Sequence, residues 1–365
     1  MRIAIDASRS TVERMTGTEY YSRRLIRYLI LQNDAIGSPH DMTLYFRNRP
    51  EPKIFPTSHF VTRKVIPFPR MWTHLRFASA LWQSRPDVTF VPAHTLPYMF
   101  PGKAVVTVHD LGYKYFPEAH PPSQVKYLDW STQHSAKRAT RILADSQATA
   151  DDLQKFYDVP SNKIHVVYPG VDAPIDKHGW GLYAKYKIPL SYFLFVGTLQ
   201  PRKNIERIIQ AFDMWQSGNP DKNMGLVLAG KQGWLFDEKW IDGVENVYIT
   251  GYVDEEDKGA LMRQSTALIF PSLYEGFGFP VIEAMYMGTA VIASNTSSLP
   301  ELVGDAGILV DPESVPEIAA SLDLVAENEL LRRKLGVKGL VQSKLFTWQD
   351  AAKQTLKILE ETAQS

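Results

Sequence analysis

The chain has 365 residues, a length that predicts two domains of about 175 residues rather than a single core. Its 44% apolar and 22% charged residues are typical of a soluble globular protein, and the absence of cysteine excludes disulfides, thiol nucleophiles and zinc–thiolate sites. Because no run of about 18 apolar residues and no signal peptide are recognisable, we expect a cytoplasmic protein without a transmembrane helix.

The formal net charge is zero, but the two halves of the chain differ in charge. Residues 1–175 contain 22 Lys and Arg against 15 Asp and Glu, whereas residues 176–365 contain 18 against 25. The asymmetry suggests different partners for the two halves, and an ordinary surface distribution is an equal alternative. Nucleic acid is not predicted as a partner.

Apolar runs and helical patterns alternate through the first half of the chain. Strands are predicted at residues 2–7, 42–46, 61–66, 88–91, 104–108, 142–144 and 164–167. Helices are predicted from residue 17, over residues 122–138 and after Ser146. This alternation predicts an α/β fold with a doubly wound parallel sheet.

Two residues of the first half follow strands and could face a ligand. Gly17 permits close approach between the first strand and the first helix, but its spacing is not the G-x-G-x-x-G of a nicotinamide site. His109 directly follows strand 104–108. A lone His is more often structural, yet the carboxyl edge of a parallel sheet borders the ligand crevice, which favours a site role for His109.

Residues 70–85 form an aromatic, basic and amphipathic stretch. Trp72, Leu75, Leu81 and Trp82 recur near helical spacing, with arginines between them. A helix packed on the sheet is the favoured interpretation. The alternative is a surface that contacts anionic lipid through Arg and Trp.

The second half repeats the architecture of the first. Residues 173–190 have no strong period and are interpreted as a linker. Strands are predicted at 192–196, 226–229, 247–250, 266–270, 290–293 and 307–310, and helices from residue 205, within 313–344 and over 350–362. A second parallel sheet is therefore expected.

Several strand ends of the second half present residues suited to a phosphorylated ligand. Arg202 and Lys203 lie at a strand–loop–helix junction, where Arg binds a diphosphate through its fork and Lys as a point charge. Such pairs are also common on solvated turns. The remaining strand-end residues that would border the ligand are Gly197, Thr198, Gly230, Tyr252 and Val253, and the Tyr252 ring could flank a nucleobase.

Residues 270–294 are the most informative stretch of the chain. A strand runs into a loop with Glu275, Gly276 and Gly278, and Pro280 then opens a helix, a junction whose amides attract a phosphate. Glu275 is expected before the turn and Glu283 in the first turn of the helix. Both would repel that phosphate but suit vicinal hydroxyls, because a carboxylate accepts hydrogen bonds on both oxygens. The pattern favours a sugar nucleotide over a plain surface-charge explanation.

With these motifs, the chain resembles the retaining glycosyltransferases of family 4, which have the GT-B fold. The resemblance covers nearly the whole chain and rests on the segments TGTEYY (16–21), VHD (108–110), ADSQATADDL (144–153), YPGVD (168–172), VGTLQPRKN (196–204), PSLYEGFGFPVIEAMYMGTAVIAS (271–294) and LPELVGDAGILVDP (299–312). It implies two Rossmann-like domains facing a cleft, an acceptor domain at 1–175 and a sugar-nucleotide domain at 176–346. A C-terminal helix from about residue 347 would pack back on the first domain.

The resemblance also implies roles for individual residues. Glu275 would lie by the donor sugar and Glu283 would hold the ribose hydroxyls. The other residues it implies at the donor are Gly17, His109, Arg202, Lys203, Gly276, Phe277, Gly278 and Phe279, with His109 on the sugar and Arg202 and Lys203 on the diphosphate. Thr198 departs from the family, many members of which have Arg there, and this puts the separate assignments of Arg202 and Lys203 in doubt.

The reaction implied is sugar transfer from a GDP- or UDP-sugar to an acceptor hydroxyl, without a metal or other cofactor. Mannose is slightly favoured because GTLQPRKN resembles bacterial mannosyltransferases, and the acceptor would be a saccharide or a lipid-linked one, with peripheral contact at the inner membrane face. A GT-B-like epimerase or phosphorylase and a non-catalytic binding protein stay open as alternatives.

Overall fold

A computed structural model describes residues 1–12, 15–37, 40–176, 181–233 and 236–365. The chain divides into a first unit, Met1–Gly170 with Thr347–Ser365, and a second unit, Val171–Phe346. The boundary therefore follows residue 170 and not residue 175 as predicted. Val171 donates its amide to the Phe346 carbonyl, and the backbone of Ile175 lies against Gly259, so residues 171–175 pack with the second unit.

The predicted linker at 173–190 also belongs to the second unit where it is described. Residues 177–180 lie outside the described residues. Within the helix Leu182–Tyr186, Leu182 is buried and Lys185 contacts Asp254 at 2.7 Å. This helix has only five residues, which is too short to give a helical pattern in the sequence.

The first unit is built on a seven-stranded parallel sheet in the order β3-β2-β1-β4-β5-β6-β7. Its strands are β1 (Arg2–Asp6), β2 (Asp41–Phe46), β3 (Val61–Val65), β4 (Val88–Val91), β5 (Lys103–Val108), β6 (Arg141–Ala144) and β7 (Ile164–Val166). The helices of its N-terminal part are α1 (Gly17–Ala35), α2 (Ala78–Ser84), α3 (Gly112–Tyr115), α4 (Pro122–Arg138) and α5 (Gln147–Tyr157). A π-helical turn, Thr73–Phe77, precedes α2.

The second unit is built on a six-stranded parallel sheet in the order β10-β9-β8-β11-β12-β13. Its strands are β8 (Tyr192–Val196), β9 (Gly225–Ala229), β10 (Val247–Gly251), β11 (Ala267–Phe270), β12 (Val291–Ser294) and β13 (Ile308–Val310). Its helices are α6 (Leu182–Tyr186), α7 (Ile205–Gly218), α8 (Glu255–Gln264), α9 (Phe279–Tyr286), α10 (Leu299–Val303), α11 (Val315–Glu327) and α12 (Glu329–Ser343).

The strands are short apolar runs buried on both faces, as β11 (ALIF) illustrates. Such runs are typical of parallel sheets covered by helices on each side. In each sheet the strand order reverses beside the first strand, between β1 and β4 and between β8 and β11. These reversals are the points at which α/β sheets bind ligands. The predicted α/β class with two Rossmann-like sheets is confirmed.

The C-terminal helix α13 (Trp348–Gln364) packs on the first unit. Its amphipathic face buries Trp348, whose ring lies 5.9 Å from that of Tyr21 in an edge contact. Near its other end, Lys103 donates to the Ala363 carbonyl at 2.9 Å. Gly170 also touches this helix, since an added Cβ would stand 2.0 Å from the Trp348 nitrogen.

The amphipathic stretch 70–85 is helical from Thr73 onward. Trp72, Phe77 and Leu81 are buried in the core of the first unit, which confirms the favoured interpretation for one face of the stretch. Met71 and Leu75 are exposed, however. No helix among the described residues is both long and apolar enough to span a bilayer.

Candidate functional site

Glu275 forms the centre of a charged cluster at the strand reversal of the second sheet. Lys203, after β8, places its Nζ 2.5 Å from Glu275 Oε1, and Arg202 Nη1 lies 3.4 Å from Oε2. Because β8 and β11 are neighbouring strands, the loops after their carboxyl ends meet. The structure thus brings together three of the four residues predicted to be catalytic.

The electrostatics of Glu275 follow from this pairing. Burial alone would raise the pKa of the carboxyl, but Lys203 and then Arg202 outweigh it and hold the pKa of Glu275 below its usual value. Glu275 is therefore an ionised acceptor of hydrogen bonds. With two cations on one carboxylate, the cluster has a net positive charge suited to an anionic ligand.

Asn204 fixes the loop that bears the two cations. It is buried, has φ of 62° and donates its Nδ2 to the carbonyls of Pro271 at 2.9 Å and Pro312 at 2.6 Å. These bonds tie the loop after β8 to the ends of β11 and β13. This role was not predicted, although Asn tolerates the left-handed conformation that the turn needs.

The loop from Glu275 to Gly278 is held by two serines. Glu275 donates its amide to Ser297 Oγ at 3.0 Å, and Ser298 donates its hydroxyl to the Phe277 carbonyl at 2.6 Å. Gly278 has φ of 122°, and an added Cβ would stand 2.7 Å from Leu299 Cδ2. Only glycine fits this position, which directly precedes α9.

Glu283 lies in the second turn of α9, not in the first as predicted, since the helix begins at Phe279. Its Oε1 accepts a hydrogen bond from Lys258 Nζ at 2.9 Å, and Lys258 also contacts Glu255 at 3.0 Å. Burial raises the pKa of Glu283 above its usual value, and Lys258 offsets this only in part. Lys258 was not predicted as a site residue, and it lies in the charged run DEEDK at the start of α8.

The ends of β8 and β9 approach each other closely at two predicted glycines. Gly197 donates its amide to the Ala229 carbonyl at 2.9 Å, and an added Cβ on Gly230 would stand 1.8 Å from the Gly197 carbonyl oxygen. Thr198 continues the chain from Gly197 towards the cation loop. This edge of the sheet therefore has room for backbone only.

Tyr252 and Val253 follow the end of β10 at the same edge of the sheet. The Tyr252 side chain is 63% exposed. An aromatic ring in this position can stack on a flat ligand group. Its predicted contact with a nucleobase stays a prediction, as do the ligand roles of Gly276, Phe277 and Phe279.

In the first unit, His109 pairs with Asp145. His109 Nδ1 lies 2.6 Å from Asp145 Oδ2, because the two residues follow the paired ends of β5 and β6, where Val108 is the partner of Ala144. Both side chains are buried. Burial lowers the pKa of His109 but Asp145 outweighs it, so the pKa lies above its usual value. Asp145 was not predicted as a site residue, although it stands just after a predicted strand.

The other neighbours of His109 fix the plane and position of its ring. Its Nε2 lies 3.3 Å from the Pro92 carbonyl, and the Tyr21 ring packs edge-on at 4.7 Å. The His109 amide donates to His94 Nε2 at 3.0 Å. Burial, followed by the charge of His109, lowers the pKa of His94 to about 4, so His94 stays neutral.

Gly17 is the first residue of α1. The preceding residue, Thr16, donates its amide to Glu19 Oε2 at 3.1 Å, which caps the helix and fixes the position of Gly17. Arg9, which follows β1, contacts Glu19 at 3.3 Å. Gly17 and His109 therefore belong to the first unit, and the remaining predicted site residues belong to the second.

The second-unit cluster can bind an anion and accept hydrogen bonds at once. Arg202 and Lys203 supply cationic donors, whereas Glu275 and Glu283 are acceptors eight residues apart. Within the described residues, no three His, Asp or Glu side chains are grouped as metal ligands would be. A ligand with a phosphate between hydroxyl-bearing groups suits this arrangement.

Two family models match the sequence, one in each unit. Residues 15–173 match the model described as Glycosyltransferase Family 4. Residues 186–340 match the model described as Glycosyl transferases group 1. The second match includes Arg202, Lys203, Lys258, Glu275 and Glu283.

Several curated relatives are named mannosyltransferases. The chain is 32% identical to O-antigen chain mannosyltransferase B of Escherichia coli over 291 residues, which are 77% of this chain and 76% of that protein. It is also 32% identical over 229 residues to the serotype-specific mannosyltransferase WbdA of Escherichia coli, covering 59% of this chain and 28% of WbdA.

Solved structures share the fold at low sequence identity. Sucrose-phosphate synthase from Thermosynechococcus elongatus aligns with a TM-score of 0.76 at 20% identity, over 99% of this chain and 98% of that chain. HepE of Anabaena in complex with UDP-glucose aligns with a TM-score of 0.74 at 16% identity, over 99% of this chain and all of that chain.

Proposed function

Since the chain belongs to glycosyltransferase family 4, we propose that it is a retaining mannosyltransferase that uses GDP-mannose. The acceptor is the hydroxyl of a saccharide in cell-surface polysaccharide synthesis. The observation that most supports this proposal is the Arg202–Lys203–Glu275 cluster at the strand reversal of the second sheet. The mannosyltransferase names of the relatives support the choice of sugar.

In the proposed donor complex, Glu283 accepts hydrogen bonds from the ribose hydroxyls. Lys258 favours the ionised form of this buried carboxylate and orients it through its 2.9 Å contact. Tyr252 and Val253 border the base, and the diphosphate lies near Arg202, Lys203 and the N-terminus of α9. Gly197, Thr198 and Gly230 border the diphosphate at the ends of β8 and β9, where a side chain on Gly230 would meet the Gly197 carbonyl.

In the proposed reaction, the bond between the sugar C1 and the diphosphate oxygen breaks, and the acceptor oxygen forms a new bond to C1 on the same face. A leaving-phosphate oxygen takes the proton of the acceptor hydroxyl. Arg202 and Lys203 stabilise the negative charge that develops on the leaving group. Glu275 accepts hydrogen bonds from the sugar and keeps both cations in place. Gly17 and His109 retain the donor roles that the family implies.

These two cations replace the positive charge that a metal ion supplies in other transferases, so no metal or other cofactor is part of the proposal. We place the reaction in the cytoplasm at the inner membrane face, with a lipid-linked saccharide as acceptor. The basic first half of the chain supports an anionic surface as a partner.

The proposal is tested by incubating the purified chain with GDP-mannose, UDP-glucose or ADP-glucose and a mannose-terminated oligosaccharide. We expect transfer from GDP-mannose, an α-linked product by NMR and unchanged turnover in EDTA. Consumption of donor without an acceptor would favour the epimerase alternative, and cleavage of the oligosaccharide by added inorganic phosphate would favour the phosphorylase alternative. Loss of turnover in EDTA that Mg²⁺ restores would contradict the metal-free mechanism.

A further inference from the structure

The first unit has an exposed apolar surface that the proposed reaction does not use. We call it the aromatic face, and it consists of Met71, Leu75, Tyr98, Met99, Tyr127 and Trp130, each between 42% and 62% exposed. Large apolar patches on a protein surface mark interaction sites. The aromatic face therefore needs a partner.

Ring contacts around Trp130 join the three segments of the aromatic face. The Trp130 ring lies 6.3 Å from Tyr98, 6.1 Å from Tyr127 and 5.8 Å from His74, measured between centroids. His74 is half-buried and lies between Met71 and Leu75 in the π-helical turn. The loop after β4, the turn before α2 and helix α4 thus contribute to one continuous surface.

The backbone of the turn is strained in a way that exposes Met71. Met71 has φ of 53°, a left-handed conformation that is unusual for a bulky side chain. Phe77 donates its amide to the Trp72 carbonyl at 2.9 Å, the five-residue spacing of a π-helix, which often occurs at functional sites. Trp72 anchors the turn through its Nε1 bond to the Ile66 carbonyl at 2.7 Å.

The segment 47–85, which includes Met71 and Leu75, is strongly basic. It contains eight Lys and Arg and a single acidic residue, Glu51, a net charge of +7 that equals the excess of the whole first half. Among the described residues, no acidic side chain forms an ion pair with a cation of this segment. Arg47 and Arg63 contact backbone carbonyls instead.

We propose that the aromatic face docks on an anionic lipid bilayer, with the basic segment 47–85 against the lipid phosphates. Trp and Tyr suit the membrane interface because one end of each ring system is apolar and the other polar. Met71 and Leu75 enter the acyl boundary, and the cations are attracted by the surface potential. A neutral saccharide stacked on Trp130 and Tyr98 would not neutralise the net charge of segment 47–85. The inference rests on the proposed function for its biological purpose, which is access to a lipid-linked acceptor.

Vesicle binding by the full chain tests the proposal without donor or acceptor. We expect co-sedimentation with phosphatidylcholine vesicles containing 30% phosphatidylglycerol, much weaker binding to pure phosphatidylcholine, and loss of binding at 0.5 M salt. The double variant Arg70→Gln/Arg76→Gln removes two cations, each worth about a five-fold change in the partition coefficient, so about 25-fold together. Its control, Lys344→Gln/Lys353→Gln, should bind as the wild type does.

The apolar contribution is tested by Met71→Ser/Leu75→Ser. This variant should lower the partition coefficient about tenfold or more, since two apolar side chains no longer enter the bilayer. Leu330→Ser/Leu345→Ser changes two residues of the second unit that are more exposed than Met71, and it should leave vesicle binding unchanged. Sugar transfer to a water-soluble acceptor should be the same in both variants as in the wild type.

Three results would overturn the docking proposal. They are equal binding of the wild type to neutral and anionic vesicles, wild-type binding by Met71→Ser/Leu75→Ser, and quenching of Trp130 fluorescence by soluble oligosaccharides but not by vesicles. Vesicle binding by a chain that transfers no sugar would contradict the proposed function and leave the docking surface supported. The two proposals can therefore fail separately.

Discussion

Glu275 and Glu283 are eight residues apart and are buried to the same degree, 6% and 7% exposed, yet their environments differ. The pKa of Glu275 lies below its usual value because, although burial raises it, Lys203 and Arg202 together outweigh that effect. The pKa of Glu283 lies above its usual value because burial outweighs the single cation Lys258, and Glu255 and Asp172 add negative charge. The number of neighbouring cations thus decides the direction of the pKa shift.

This difference assigns the two carboxylates different tasks in the proposed reaction. Glu275 is ionised with a surplus of positive charge around it, as is needed beside a leaving diphosphate. Glu283 depends on one lysine, as suits a group that only holds neutral hydroxyls. Removing charges from either group tests this distinction.

The largest effect is expected for Glu275→Gln. Lys203 and Arg202 lose their shared carboxylate, so kcat should fall about 100-fold or more through misplaced groups. The free energy of unfolding should fall by about 3 kcal/mol, because the partly buried Arg202 and Lys203 lose the carboxylate that neutralises their charge. Glu329→Gln, the same substitution at an exposed i,i+4 pair, is the control and should alter neither quantity measurably. Equal effects of the two substitutions would contradict the assignment.

Lys258→Met should have the next largest effect. It leaves Glu283 buried without its cation, so the carboxyl takes up a proton more readily and accepts ribose hydrogen bonds less well. We expect the KM for the donor to rise about tenfold with kcat changed little, a pattern measured by steady-state kinetics. Lys338→Met, which removes an exposed pair with Asp305, should leave KM unchanged. A fall in kcat alone would place Lys258 with the leaving-group cations instead.

A third buried carboxylate, Asp145, extends the comparison to the first unit. Asp145 raises the pKa of His109. Protonated His109 therefore stabilises the fold at pH values below the usual His pKa of about 6.5. This stability is lost as the pH rises through the raised pKa of His109. Asp145→Asn should lower the pKa of His109. As the pH rises, kcat/KM should then begin its several-fold fall at a lower pH than in the wild type. Nitrogen-15 NMR of His109 and a pH profile measure the shift. Asp87→Asn is the surface control, and an unchanged titration of His109 in Asp145→Asn would contradict the pairing.

The smallest effect is expected in the pH dependence of stability. The stability that Glu275 contributes is present above the usual Glu pKa of about 4.3 and is lost as the pH falls through its lowered value. Glu283 penalises folding above its raised pKa, and the penalty disappears as the pH falls through that value. Urea unfolding, measured as the pH is lowered from 6 to 3.5, should therefore show two opposite trends. The free energy of unfolding of the wild type should lose its advantage over that of Glu275→Gln and should increase relative to that of Glu283→Gln. If falling pH changed the stability of the wild type in the same direction relative to both variants, the opposite pKa shifts of Glu275 and Glu283 would be contradicted.

The strands were the most predictable part of the fold. Runs such as YFLFV and ALIF are apolar throughout, which few structures other than buried parallel strands accommodate, and their observed bounds differ from prediction by one residue at most at either end. The domain boundary was placed five residues late because the packing of Val171 on Phe346 joins residues far apart in sequence. The five-residue helix α6 is too short to give a period.

The site was predictable in its residue types but not in its pairings. Sequence placed Arg202, Lys203 and Glu275 at strand ends, whereas their contact depends on β8 and β11 being neighbours. Lys258 and Asp145 were missed because each acts through a partner whose distance no spacing reveals. The aromatic face was not predicted as one surface. It depends on the ring contact of Trp130 with His74 and on the left-handed backbone at Met71, and neither feature gives a periodic pattern in the sequence.

The most direct test of the central claim is the thermal unfolding of the wild type, Glu283→Gln and Glu329→Gln with GDP, UDP or ADP. A ligand that binds only the folded state raises the free energy of unfolding by about 2.7 kcal/mol at 100 times its Kd. A donor site for a GDP-sugar predicts that GDP raises Tm most in the wild type, that Glu283→Gln loses this rise and that Glu329→Gln keeps it. Equal shifts with all three nucleotides, or a rise with GDP that persists in Glu283→Gln, would contradict it.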